Sequence, residues 1–203
     1  MIKLYDAPLS GNCHKVRMLL GFLNLPYESV PVSLPEQENL APAYLAMNPL
    51  GKIPVLDDDG EIIRDSQAIL FYLAREYGNG DWLPPDPTVQ AHVVEWLSFA
   101  ANEMTNACAV ARALVLFNRE GDLIGAQTAA RKCLEILDGG LAARQWLVGD
   151  APSIADIACY VYAGLVHQGD VDPSPYENMT AWFIRMEALP GYQGMAALPA
   201  SAG

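Results

Sequence analysis

Positive charge is scarce in this sequence. Lys and Arg number 12 against 24 Asp and Glu, a net charge of −12 over 203 residues. Binding a phosphate backbone needs clustered cations, so nucleic acid is excluded as an expected partner. The same balance argues against an anionic membrane surface. Cysteine is also sparse. Cys13, Cys108, Cys133 and Cys159 form no CxxC pair, which suggests neither a zinc site nor a disulfide framework. His14, His92 and His167 lie far apart and outside any HExxH, and no Gly-rich phosphate loop is present. No metal is therefore expected. The most apolar run, Ala107 to Phe117, is broken by Arg112 and is too short to cross a bilayer. The opening MIKLYDAPLS carries Asp and Pro where a secretory signal needs an apolar core. Four thiols without a framework fit a reducing cytosol, so the expected location is cytoplasmic.

What is present is a globular composition, 52% hydrophobic and 18% charged. Ile2 to Ala7 reads as a strand ended by Pro8. Val16, Leu19, Leu20 and Leu23 lie at helical spacing, and Leu25-Pro26 ends that helix. Tyr27 to Leu34 reads as a strand that Pro31 confines to a sheet edge. Ala41 to Met47 is a short helix stopped by Asn48-Pro49. Ile53 to Leu56 and Glu61 to Arg64 flank Asp57-Asp58-Asp59-Gly60, a hairpin signature. Ser66 to Tyr77 follows as an amphipathic helix. The order is βαβ, then ββα.

Composition changes in the Gly- and Pro-rich stretch Gly78 to Pro87. Beyond it only helical signals remain. Val93, Leu97, Ala100, Met104, Ala107, Ala111 and Leu114 step by three or four, predicting one long helix. Others are predicted from Gly121-Asp122 to about Arg144, from Ser153 to about His167, and from Tyr176 to Leu189. The third is apolar almost all round and should be buried. We expect a small α+β domain over 1–78, a linker at 79–87 and an all-helical domain over 88–203.

Several residues carry candidate chemistry. Ser10-Gly11-Asn12 stands between the first strand and first helix, where Ser and Asn are helix caps. The same geometry sets a hydroxyl beside exposed N–H groups, a setting that suits an anion such as a thiolate. Cys13 at a helix start is either a low-pKa nucleophile or a buried structural thiol. Asp65-Ser66 is either an N-cap or the reader of an amino acid's zwitterionic end, with Ser66 on a carboxylate and Asp65 on an ammonium. Ser153-Ile154-Ala155-Asp156 matches a capping box with Asp in place of Glu. Asp57 to Asp59 is a solvated turn, since the alternating ligands of a calcium loop are missing.

Four segments together resemble the glutathione S-transferase family: Ser10 to Val16, Asn48 to Leu56, Asp65 to Ile69, and Ser153 to Asp156. The first looks most like the serine-type bacterial enzymes related to the theta and nu classes. The resemblance covers nearly the whole chain. It implies a thioredoxin-like N-terminal domain on an all-helical one, a homodimer, and a detoxifying role with glutathione as co-substrate. It implies that the Ser10 hydroxyl donates to the glutathione sulfur, with Asn12 assisting. Ile53, before a cis Pro54, would pair its backbone with the cysteinyl part. Asp65 and Ser66 would hold the γ-glutamyl end, Lys52 would face the glycyl carboxylate, and Asn39 falls near a further contact. Leu9, Phe99, Met104, Cys108 and Arg112 would line a pocket between the domains for a hydrophobic electrophile. Asp65 departs from the Glu of many members. The activating tyrosine of the alpha, mu and pi classes has no counterpart, although Tyr5 is nearby, and Cys13 falls later than the cysteine of beta and omega members.

The function these readings imply is activation of the glutathione thiol for attack on that electrophile. Isomerisation, dehalogenation or disulfide reduction on the same site are alternatives, as is a non-catalytic glutathione-binding module.

Overall fold

Alternation along the first strand sets up the N-terminal part of the molecule. In the computed structural model, which describes residues 1–195, β1 (Ile2–Asp6) buries Ile2, Leu4 and Asp6. Helix α1 (Gly11–Phe22) crosses over to β2 (Tyr27–Pro31), which pairs parallel to β1. A parallel partner needs such a crossover. Helix α2 (Pro42–Met47) precedes β3 (Val55–Asp58) and β4 (Glu61–Arg64), which form the expected hairpin. Asp59 and Gly60 both have positive φ, 50° and 101°, as the tightest two-residue turns require. The sheet order is β2-β1-β3-β4, with β1 and β3 antiparallel. β2 is thus the edge strand that Pro31 predicts. It stops at Pro31 rather than Leu34, because the chain leaves the sheet after Val32 donates to the Asp6 carbonyl at 2.8 Å. Leu4, Val16, Leu19, Leu20, Leu56, Ile69, Leu70 and Leu73 form the core with no exposed surface.

The described chain divides into two compact units, Met1–Leu73 with the stretch Pro190 to Met195, and Ala74–Leu189. The first division falls inside α3 (Ser66–Tyr77), ahead of the Gly- and Pro-rich stretch. The returning stretch packs against the end of α1 so closely that a Cβ on Gly21 would lie 2.7 Å from the Gly191 carbonyl oxygen. Residues 196–203, which the sequence reading assigns to the helical domain, lie outside the described residues.

The second unit is helical throughout. The predicted long helix runs as α4 (Pro87–Phe99), a π-helical stretch over Ala100–Ala109, and α5 (Val110–Leu116). In the wide stretch the Thr105 hydroxyl donates to the Ala100 carbonyl at 2.9 Å. Helix α6 (Leu123–Leu141) ends three residues earlier than predicted, just after Gly139-Gly140, residues with poor helix propensity. Helix α7 (Ile154–Gly164) buries every residue from Ile154 to Ala163, as its apolar surface requires, and α8 (Glu177–Glu187) closes the bundle. The capping box is present. The Ser153 hydroxyl accepts from Ala155 N at 3.2 Å, and Asp156 accepts from Ser153 N at 2.9 Å. Among the described residues, no helix is long and apolar enough to cross a membrane.

Candidate functional site

The strand register brings the candidate residues of the first unit to one end of the sheet. Val55 is paired with Tyr5 on one side and with Arg64 on the other. The loop after β1, the approach to β3 and the exit from β4 therefore all open at that end. These are the positions of Ser10, of Ile53-Pro54, and of Asp65-Ser66.

Ser10 is the N-cap of α1, in extended conformation at φ −76° and ψ 119°. Its hydroxyl accepts from Cys13 N at 3.3 Å, and its own N–H donates to the Ala7 carbonyl at 2.9 Å. Accepting that bond still lets the half-buried hydroxyl donate its single proton, either inward to the Cys13 thiol or outward. Asn12 is half-buried on the first turn of the same helix. Cys13 is fully buried, and burial pushes its thiol up to about 12 despite the Ser10 hydrogen bond. Of the two readings of Cys13, the buried thiol is the one its environment matches. Tyr5 is half-buried and meets Tyr44 edge to face at 6.1 Å.

The Ile53-Pro54 bond is cis. Among the described residues, neither the N–H nor the carbonyl of Ile53 takes a backbone partner. The loop before it is held from inside. Tyr44 Oη and Asn48 Nδ2 both donate to the Lys52 carbonyl, at 2.8 and 2.6 Å, and Leu50 N donates to Asn48 Oδ1 at 3.1 Å. Asn39 Nδ2 donates to the Gly51 carbonyl at 2.7 Å. Its amide is thereby turned onto the loop. Gly51 itself has φ +59°, a conformation suited to glycine. The Lys52 side chain is exposed.

Asp65 has φ +74°, in the left-handed region that Asp tolerates better than most residues. Its Oδ1 caps α3 by accepting from Gln67 N at 2.9 Å and Ala68 N at 3.3 Å. Among the described residues Oδ2 has no partner, and the carboxylate is exposed. Ser66 is buried beside it at the helix start.

The pocket candidates fall differently. Met104 and Cys108 are in the core of the helical unit, at 0% and 1% exposure. A hydrogen bond with Cys133 and burial push the Cys108 thiol up. Arg112 is also buried; its Nε donates to Gln168 Oε1 at 2.6 Å and its guanidinium lies 5.9 Å from the Phe117 ring centroid. Phe99 is half-buried and lines a groove of about 660 Å³ in the helical unit, together with Trp96, His92, Arg144 and Leu147. Leu9, in the first unit, is half-buried. Among the described residues, no three His, Cys, Asp or Glu side chains gather as metal ligands would.

Sequence reasoning missed Tyr44 and the inward role of Asn48. Only the Asn48-Pro49 stop marked the place. It also missed the ion pair of Asp6 with Arg17, eleven residues apart, for which no local signal exists.

A mixed four-stranded sheet in βαβ-ββα order, with a cis-proline ahead of β3 and a helical unit following, is the thioredoxin-like two-domain architecture. Comparison with known proteins narrows it. Residues 4–82 match the family model for the glutathione S-transferase N-terminal domain, and residues 97–190 match that for the C-terminal domain. The chain is 29% identical to glutathione S-transferase GstB of Escherichia coli strain K12 over 99% of this chain and all of that protein. It is 33% identical to a maleylacetoacetate isomerase of Rhizobium meliloti over 94% of this chain and 93% of that protein. A solved glutathione S-transferase from Pseudomonas fluorescens superposes with TM-score 0.91 at 34% identity, covering 97% of this chain and 99% of that one. The chain belongs to the glutathione S-transferase family.

Proposed function

We propose that this chain is a glutathione transferase that ionises the glutathione thiol at Ser10 and directs the thiolate onto a hydrophobic electrophile. What supports the reading is the register that opens the Ser10, Ile53-Pro54 and Asp65-Ser66 segments at one end of the sheet. Each segment has a group of the required kind. The backbone of Ile53 pairs with the cysteinyl part, adding a short strand-like rung. Asp65 Oδ2 receives the γ-glutamyl ammonium, and Ser66 with the N-terminus of α3 receives its carboxylate. Lys52 faces the glycyl carboxylate, and Asn39 acts through the loop that carries Lys52.

The chemistry follows from magnitudes. A free thiol of pKa about 8.5 is only a few per cent ionised at neutral pH. A hydrogen bond to a charged acceptor contributes roughly 1.5–3 kcal/mol, and one pKa unit is about 1.36 kcal/mol. Donation from the Ser10 hydroxyl therefore lowers the bound thiol by about one to two units, with the N-terminus of α1 acting in the same direction. Asn12, on the first turn, assists. The net charge of −12 repels an anion, so these groups must dominate at short range. Cys13, buried and raised to about 12, is unsuited to a mixed-disulfide route. A second reading, glutathione-dependent isomerisation, is favoured only by the relative named maleylacetoacetate isomerase, and it uses the same thiolate.

The test is Ser10→Ala, assayed with glutathione and 1-chloro-2,4-dinitrobenzene. The expected result is a rate lowered about tenfold or more at pH 7 with binding of S-methylglutathione nearly intact. An unchanged rate removes the role given to Ser10.

A further inference from the structure

The side chain of Arg17 grips the turn that carries Ser10. Its Nη1 donates to both carboxylate oxygens of Asp6, at 2.5 and 2.7 Å, and approaches the Ala7 carbonyl at 3.5 Å. Its Nη2 donates to the Pro8 carbonyl at 3.0 Å and lies 3.6 Å from Met195 Sδ. The Ala7 carbonyl is also the acceptor for Ser10 N, so the turn is closed from inside by Ser10 and held from outside by Arg17. One planar fork thus ties the end of β1, the turn, α1 and the returning C-terminal stretch. Lysine cannot reproduce that fork.

Stability alone does not account for this pair. Asp6 occupies a core-facing position of β1, where Ile2 and Leu4 set an apolar pattern. Replacing a buried ion pair by apolar residues is often neutral or stabilising. What an apolar pair cannot do is hold two loop carbonyls. The Ser10 hydroxyl needs such help, because its contact from Cys13 N is long at 3.3 Å and its proton can also turn toward the Cys13 thiol instead of outward. Pro8 has no N–H and contributes no donor of its own to the turn.

We infer that Arg17, anchored by Asp6, is a positioning residue that aims the Ser10 hydroxyl at the glutathione sulfur. The inference rests on the reading of Ser10 given above. It is distinct from binding, since neither Arg17 nor Asp6 is assigned a contact with the peptide. A loosened turn lets the hydroxyl rotate away, which costs thiolate and leaves the peptide's other contacts in place.

The experiment reads the pH at which bound glutathione ionises, from thiolate absorbance, in the double variant Asp6→Asn/Arg17→Met and in Arg17→Lys. Removing both charges avoids leaving one buried and unpaired. S-methylglutathione, which has no thiol to ionise, reports binding alone. The expected result is an upward shift of about half to one unit in the double variant, or about three- to tenfold less thiolate at fixed pH. Arg17→Lys falls between it and the wild type, and affinity for S-methylglutathione changes less than about threefold. Ionisation at the wild-type pH in a folded double variant overturns the inference. So does a loss of S-methylglutathione affinity that matches the loss of thiolate, which marks a general structural role. If the double variant does not fold, Arg17→Lys decides by the same shift or its absence. Ser10→Ala separates the two levels: no shift there sinks the underlying role of Ser10, whereas a shift in Ser10→Ala alone sinks only the part given to Arg17.

Discussion

Asp156 is the carboxylate on which the helical unit turns, and its substitution has a calculable pH signature. It is fully buried. Oδ1 accepts from Leu147 N and Trp182 Nε1, both at 3.0 Å, and Oδ2 accepts from Ser153 N at 2.9 Å and Ser153 Oγ at 3.1 Å. The four donors favour the carboxylate form, but burial outweighs them and raises the group from 3.8 to about 6. A folded-state pKa above the unfolded one means the folded protein holds the proton more tightly. The associated stability is fully present below about pH 4 and is lost as pH rises through about 6. The shift of about two units corresponds to roughly 3 kcal/mol in total, of which about half falls between pH 5 and 8. Asp156→Asn removes the titration. It keeps Oδ1 as an acceptor but sets an amide N–H against Ser153 N–H, so it loses about 2–4 kcal/mol at pH 5 through unsatisfied buried groups. Urea unfolding of both proteins at pH 5 and pH 8 isolates the term. The stability gap between them should narrow by about 1.5 kcal/mol at the higher pH. A gap that is constant or widens refutes the reasoning that burial dominates the four hydrogen bonds.

Two further outcomes follow from the site. Cys13→Ala should retain the transferase rate and lose about 1–2 kcal/mol of stability through the small cavity it leaves, and mass spectrometry of the wild type should find no mixed disulfide at Cys13 after oxidised glutathione at pH 7. Asp65→Asn should keep the α3 cap, since Asn caps as well as Asp and tolerates the left-handed backbone, yet weaken glutathione binding about ten- to a hundredfold by calorimetry; unchanged affinity would show that the carboxylate does not meet the ammonium.

Local signals were the ones the sequence displayed well. Asp59-Gly60 named its turn, Pro31 named an edge strand, and Ser10 and Ser153-Asp156 named helix starts, because each acts within three or four residues of chain. Groups that act at a distance were not legible. The Asp6–Arg17 pair joins a strand to the facing helix, and nothing in either segment marks the other. Asn39 stood only as a contact implied by the resemblance and Asn48 as part of a helix stop, yet their amides turn inward to the Gly51 and Lys52 carbonyls, since a buried carbonyl without a donor costs free energy. Met104 and Cys108 have the spacing of pocket and core alike, and only the burial of the helical unit distinguishes them. The positive φ of Asp65 is likewise a property of how the hairpin delivers the chain to α3.

The most direct test of the account is the ultraviolet thiolate absorbance of glutathione bound to the wild-type protein, followed against pH. Thiolate appearing about one to two units below the free thiol value is the predicted result. Glutathione that fails to bind, or that binds and ionises only at the free value, contradicts the activating site at the end of the sheet.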